Sequence, residues 1–133
     1  MLRREGLTLL RIAHAVLTAK LADSDGDGKR VIASLQQAGR LQNGMAYHEP
    51  PDWYFPLNQA LGDAYLKQGK PQQAVQMYRK ALENHPDNGW SLFGLAQGLR
   101  AAGQTVAAAA MEERFKAAWR HADIAAPVGL FAP

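Results

Sequence analysis

The chain has 133 residues, 47% of them hydrophobic and 20% charged, with a net charge of +3; that is about one domain's worth of chain. The balance excludes a wholly disordered polymer, which couples low hydrophobicity to high net charge. The absence of Cys excludes disulfide staples, zinc thiolate sites and thiol catalysis. It fits the cytoplasm, and it fits exported proteins too, many of which also lack Cys.

The chain opens Met1-Leu2-Arg3-Arg4 ahead of a leucine-rich stretch, the outline of a signal peptide. Arg11 and Lys20 interrupt the apolar run, and Glu5-Gly6 stands where a twin-arginine signal needs apolar residues. With Arg11, His14 and Lys20 inside it, Leu7 to Leu21 is not a membrane span either. Periodicity accounts for it better: Leu7, Leu10, His14, Leu17 and Leu21 recur at steps of three and four, one face of an amphipathic helix.

Helices are expected at about 7–22, 29–42, 53–68, 71–84, 89–102 and 105–122, with no period-two segment to suggest a strand. Asp52 is placed to cap a helix starting at Trp53. Gly69 and Pro71 end one helix and begin the next; Asn88 caps the fifth, which Gly103 ends. Residues 123–133, bracketed by prolines, read as an extended tail. The expected architecture is all-α, three antiparallel hairpins joined by tight turns.

Leu61, Gly69 and Ala74 recur 34 residues later as Leu95, Gly103 and Ala108. Between them, Asn58, Leu61, Gly62, Tyr65, Ala74, Tyr78, Ala81 and Pro86 fall on a fixed pattern of eight positions. Residues 55–88 thereby closely resemble the tetratricopeptide repeat, with Asn58 in place of a large apolar residue and Tyr78 in place of Phe. Residues 89–122 are a weaker copy: Leu92, Leu95, Ala96, Leu99 and Ala108 fit, while Glu112 stands where an aromatic belongs, as in a terminal capping unit. In the first hairpin, 7–44, Val31, Leu35 and Ala38 keep the spacing of Ala74, Tyr78 and Ala81, at an offset of 43 rather than 34. The excess of nine is assigned to an insertion around 45–54, rich in Pro and aromatic residues. The resemblance implies one domain over 1–133, its hairpins stacked as a short right-handed superhelix. Glu49 to Pro56, Asn88 to Leu95 and Phe115 to Trp119 are also similar to the C-terminal portion of uncharacterised bacterial tetratricopeptide proteins. That likeness implies the last part of a longer array and no particular ligand.

Two motifs point to metals. Asp23, Asp25 and Asp27, followed by Gly28, open like a calcium-binding EF-hand loop. Its twelfth position is Ser34 instead of Glu and its eighth is Arg30, so a turn with Asp27 or a neighbour as helix cap is the plainer reading. His48-Glu49-Pro50-Pro51-Asp52 lacks the second His and the helix that a zinc-protease motif requires. His14, His85 and His121 have no ligand spacing, and no nucleophile–base pair or phosphate-binding glycine loop is present. Basic residues are interleaved with acids rather than gathered into a stripe, which argues against nucleic acid.

In the tetratricopeptide family the first helix of each hairpin lines a concave groove. The resemblance therefore implies groove roles for Gln59, Asp63, Leu66 and Lys67, and for Trp90, Phe93, Gln97 and Arg100. Apolar residues there anchor a peptide while Gln, Lys and Arg read its polar groups. The competing reading packs Trp90 and Phe93 under the Tyr47–Phe55 insertion. The clamp for chaperone C-terminal carboxylates, with Lys and Asn where this chain has Gln59 and Asp63, is excluded because Asp63 would repel such a tail. The expected function is a non-catalytic, cofactor-free module that binds a protein or peptide. A calcium-responsive domain built on Asp23, Asp25 and Asp27 is the alternative. Leu7, Leu10, Leu17 and Leu21 add the expectation of a weak homodimer through the first hairpin.

Overall fold

The computed structural model describes residues 2–44 and 56–120, and every regular element within them is an α-helix. These are α1 (Leu2–Ser24), α2 (Gly28–Asn43), α3 (Leu57–Lys67), α4 (Pro71–Asn84), α5 (Gly89–Ala101) and α6 (Thr105–Trp119). Contacts divide the chain into two compact units, Met1–Leu57 and Asn58–Pro133.

One turn design closes all three hairpins. Gly26, Gly69 and Gly103 each take a positive φ of 74–84°, a conformation that costs Gly nothing and an L side chain a good deal. The residue after each glycine donates its N–H five residues back: Asp27 to Ala22 at 2.9 Å, Lys70 to Tyr65 at 2.9 Å, Gln104 to Leu99 at 2.8 Å. This is the Schellman closure of a helix C-terminus. Its recurrence at offsets of 43 and then 34 residues puts the first hairpin in register with the other two.

Residues of the turns also start the next helices. The Asp27 carboxylate accepts the Arg30 N–H at 3.2 Å, capping α2. Pro71 is the first residue of α4, where its missing N–H has no bond to make. Asn88 Oδ1 accepts the N–H groups of Trp90 at 2.9 Å and Ser91 at 3.3 Å.

Two boundaries lie four or more residues from expectation. Helix α1 begins at Leu2 rather than Leu7, because Leu, Arg and Glu are strong helix formers that outweigh the single Gly6. Helix α3 begins at Leu57, with Pro56 outside it, rather than at Trp53. In a helix starting at 53, Pro56 would be the first residue required to donate a backbone hydrogen bond. The proposed Asp52 cap, the insertion at 45–54 with His48, and the tail at 123–133 with His121 lie outside the described residues.

In the first unit α2 packs against α1, but not on the leucine face. The buried residues of α1 are Ile12, Ala15, Ala19 and Ala22, met by Val31, Leu35 and Ala38 of α2. Small side chains at steps of three and four let the helices approach closely, and the leucines are left outside.

The second unit is organised around Tyr78 of α4, which is 0% exposed. Its ring lies against the bare backbone of two other helices. A Cβ built on Gly62 of α3 would come within 2.7 Å of the ring, and one on Gly94 of α5 would penetrate it. One turn further along α5, Gly98 meets Val75 of α4. Ala74, Val75, Tyr78 and Leu82 of α4 form one core with Leu92, Leu95 and Leu99 of α5 and Ala108 of α6, flanked by Tyr65 and Leu66 of α3. Truncation to Ala at Tyr78 is expected to cost about 3–5 kcal/mol, as for other buried aromatic-to-Ala changes. Chemical denaturation measures it, and a loss below about 1 kcal/mol would contradict this packing.

Candidate functional site

The residues with functional potential lie on α5 and on the helix that follows it. Asn88 fixes the start of α5, and the helix buries Ser91, Leu92, Leu95, Ala96 and Leu99. At steps of three, four and three, Trp90, Phe93, Gln97 and Arg100 occupy another face, Phe93 half-buried and the others exposed. On α6, Phe115 and Trp119 stand one turn apart and face the same side. Trp90 meets Trp119 edge-on at 6.1 Å, Trp119 stacks on Phe115 at 5.7 Å, and Phe115 tilts against Phe93 at 5.3 Å. Such arrangements bring the electropositive edge or offset face of one ring to the face of the next.

Gly89 makes this cluster possible. The Trp119 ring lies directly over it, where any Cβ would collide. The result is a four-ring surface, with Trp90 39% exposed. Further along α5, Arg100 is ion-paired with Glu112 of α6. Glu112 stands where the repeat pattern calls for an aromatic, and the guanidinium is what it meets there. Both side chains are substantially exposed, so the pair is worth little stability and remains available to an incoming polar group.

The α3 residues of the expected groove have a different setting. Leu66 is half-buried and packs against the core around Tyr78. Asp63 is half-buried and accepts a hydrogen bond from the Tyr78 hydroxyl. Gln59 is half-buried and Lys67 exposed. The carboxylate expected to act only as a groove charge thus also satisfies a buried phenol. Burial, with the Asp63 charge and its hydrogen bond, pushes the Tyr78 pKa well above its ordinary value.

Behind these helices, Leu82 of α4, Leu95 and Leu99 of α5 and Met111 of α6 line an open cleft of about 430 Å³ that also includes Arg79 and Arg114. Arg114 is spoken for: it donates to the Pro86 carbonyl at 3.0 Å and holds α6 to the α4–α5 connection. Glu83 of α4 also lines the cleft.

Among the described residues no three His, Asp or Glu side chains come together as metal ligands, so Asp23, Asp25 and Asp27 do not converge. Asp27 is instead turned to its capping bond with Arg30, as the ordinary turn reading has it. Among the described residues, too, no helix is long and apolar enough to cross a membrane.

Two features escaped the sequence reading. The pairing of Phe115 and Trp119 with Phe93 and Trp90 was signalled only by their one-turn spacing on α6. The close approaches at Gly89, Gly94 and Gly98 were signalled by three glycines in one helix, each costly there unless packing requires it.

Residues 55–98, covering α3, α4 and most of α5, match the family described as tetratricopeptide repeat. That segment therefore carries a tetratricopeptide repeat, as its spacing and its hairpin indicate. No curated protein matches it.

The Tyr78–Asp63 pair makes stability depend on alkaline pH. The folded state holds the phenolic proton more tightly than the unfolded chain, whose Tyr ionises near its ordinary 10.0. The resulting stability is complete below that value and declines above it, by up to about 1.4 kcal/mol per pH unit for one proton. Unfolding free energies measured from pH 9 to 11.5 (roughly spanning the Tyr range) are expected to fall more steeply for the wild type than for Tyr78→Phe. Equal slopes would mean that Tyr78 ionises freely in the fold.

Proposed function

We propose that this tetratricopeptide repeat protein is a non-catalytic interaction module, and that it grips a peptide or an extended segment of a partner protein along α3 and α5. Tetratricopeptide repeats are generally protein–protein interaction modules, which sets the class. The observation that carries the finer reading is the run of Trp90, Trp119, Phe115 and Phe93, four rings in contact and partly open to solvent. Such a surface offers large apolar area on side chains already held in place, so little conformational freedom is lost when a ligand covers it.

Polar recognition is assigned to neighbours on the same elements. Gln97 and Arg100 continue the aromatic face along α5, and Gln59, Asp63 and Lys67 offer an amide, an acid and a base on α3. Leu66 contributes the apolar surface that its packing leaves open. The Arg100–Glu112 pair opens readily, so that Arg100 can meet a ligand carboxylate or carbonyl. The partner is a protein rather than nucleic acid, because the exposed cations are interleaved with acids.

Selection from a displayed random peptide library supplies a ligand directly, whatever the partner. Selected peptides are expected to carry an aromatic or large aliphatic anchor. Trp90→Ala or Phe93→Ala should weaken them by at least about tenfold, a typical loss for an interface anchor. Circular dichroism shows whether each variant keeps its helices. Val106→Ser, at a residue 86% exposed on α6, should leave binding unchanged. Peptides that bind the Trp90 and Phe93 variants as tightly as the wild type would defeat the proposal.

A further inference from the structure

In α1 the largest apolar side chains are the ones left outside. Leu7, Leu10, Leu17 and Leu21 are 50–68% exposed, and with His14 they descend one side of the helix at steps of three and four. That spacing repeats every seven residues and is the seam of a two-helix coiled coil. The opposite side, with Ile12, Ala15, Ala19 and Ala22, is buried against α2.

The register shared by the three turns shows what such a face does. Gly26 precedes Gly103 by 77 residues, so His14, Leu17 and Leu21 correspond to Ser91, Gly94 and Gly98 of α5. At Gly94 and Gly98, α5 receives Tyr78 and Val75 from the helix before it. The α5 positions are small because the arriving side chains are large. On α1 the same positions carry large side chains and stand exposed.

Of the surfaces this chain offers, one matches. Helix α6 of a second copy does not: where α4 presents Val75 and Tyr78, α6 carries exposed Ala109 and the ion-paired Glu112. The leucine seam itself does. We propose that two copies of this chain pair through α1, antiparallel, with Leu10 of one against Leu21 of the other and His14 against Leu17. In that register Arg11 lies beside Thr18 of the second copy and Lys20 beside Ala13, so no like charges meet along either edge. A parallel pair would instead set the two His14 rings against each other. The seam from Leu7 to Leu21 is about 21 Å long at 1.5 Å per residue. That makes a small interface, and the dimer dissociates on dilution.

Sedimentation over a concentration series is expected to show the dimer at high concentration. Leu10→Glu and Leu17→Glu should each raise its dissociation constant at least about tenfold, more than 1.4 kcal/mol. Both residues are exposed, so thermal melts and circular dichroism of the variants should match the wild type. Because the chain has no Cys, single variants report orientation cleanly. Leu10→Cys and Leu21→Cys chains, mixed and oxidised, should give the mixed disulfide. A monomer at every concentration, a dimer indifferent to Leu17→Glu, or disulfides only between identical variants would overturn the proposal.

Discussion

The Tyr78 ring fills a space that exists only because two helices lack side chains where it lies. Gly62 of α3 and Gly94 of α5 present backbone to it, and its hydroxyl is satisfied by Asp63. One residue thereby joins the two helices of its own hairpin to the first helix of the next. In a repeat protein each unit contacts only its neighbours, so stability resides in such interfaces. A smaller residue would leave a cavity shared by three helices, and a phenol without Asp63 would bury an unsatisfied donor.

From that joint the proposed recognition surface follows. With α5 seated on α4 through Gly94 and Gly98, its remaining faces are set: one enters the core with Leu92, Leu95 and Leu99, and one carries Trp90, Phe93, Gln97 and Arg100 outward. Helix α6 then adds Phe115 and Trp119 to the aromatic residues, with Gly89 admitting the Trp119 ring. Close packing behind the surface keeps its rings in fixed positions, which is the condition for binding without a large ordering cost.

Much of the fold was legible because its signals are local. Gly69, Pro71, Asn88 and Gly103 each do a job that few other residues can, and the 34-residue spacing of Gly69 and Gly103 exposes the repeat. The inward face of α1 was not legible in the same way. Its leucines and its Ile12–Ala22 face share one period, and periodicity does not say on which side a neighbour lies. The 43-residue offset was the better guide, since it aligns Ala15, Ala19 and Ala22 with Asn58, Gly62 and Tyr65. The family resemblance likewise implied a groove role for Asp63 but carried no information about the phenol fifteen residues away, whose hydrogen bond it accepts. The pairing of Trp90 with Trp119 depends on how α5 and α6 cross, which only packing determines. In the acidic turn a local signal sufficed again: Asp27, placed just before a helical period, serves as its N-cap.

The central claim is that Gly94 is glycine because of Tyr78, and a double-mutant cycle tests it directly. With Tyr78 present, Gly94→Ala must force a methyl into the ring and should destabilise by about 1–3 kcal/mol despite the better helix propensity of Ala. In a Tyr78→Ala background the space is open, and the same change should become neutral or stabilising by up to about 1 kcal/mol. A reversal of that kind, measured by chemical denaturation, is what the wedge predicts. Equal effects of Gly94→Ala in the two backgrounds would show that the residues are energetically independent and contradict it.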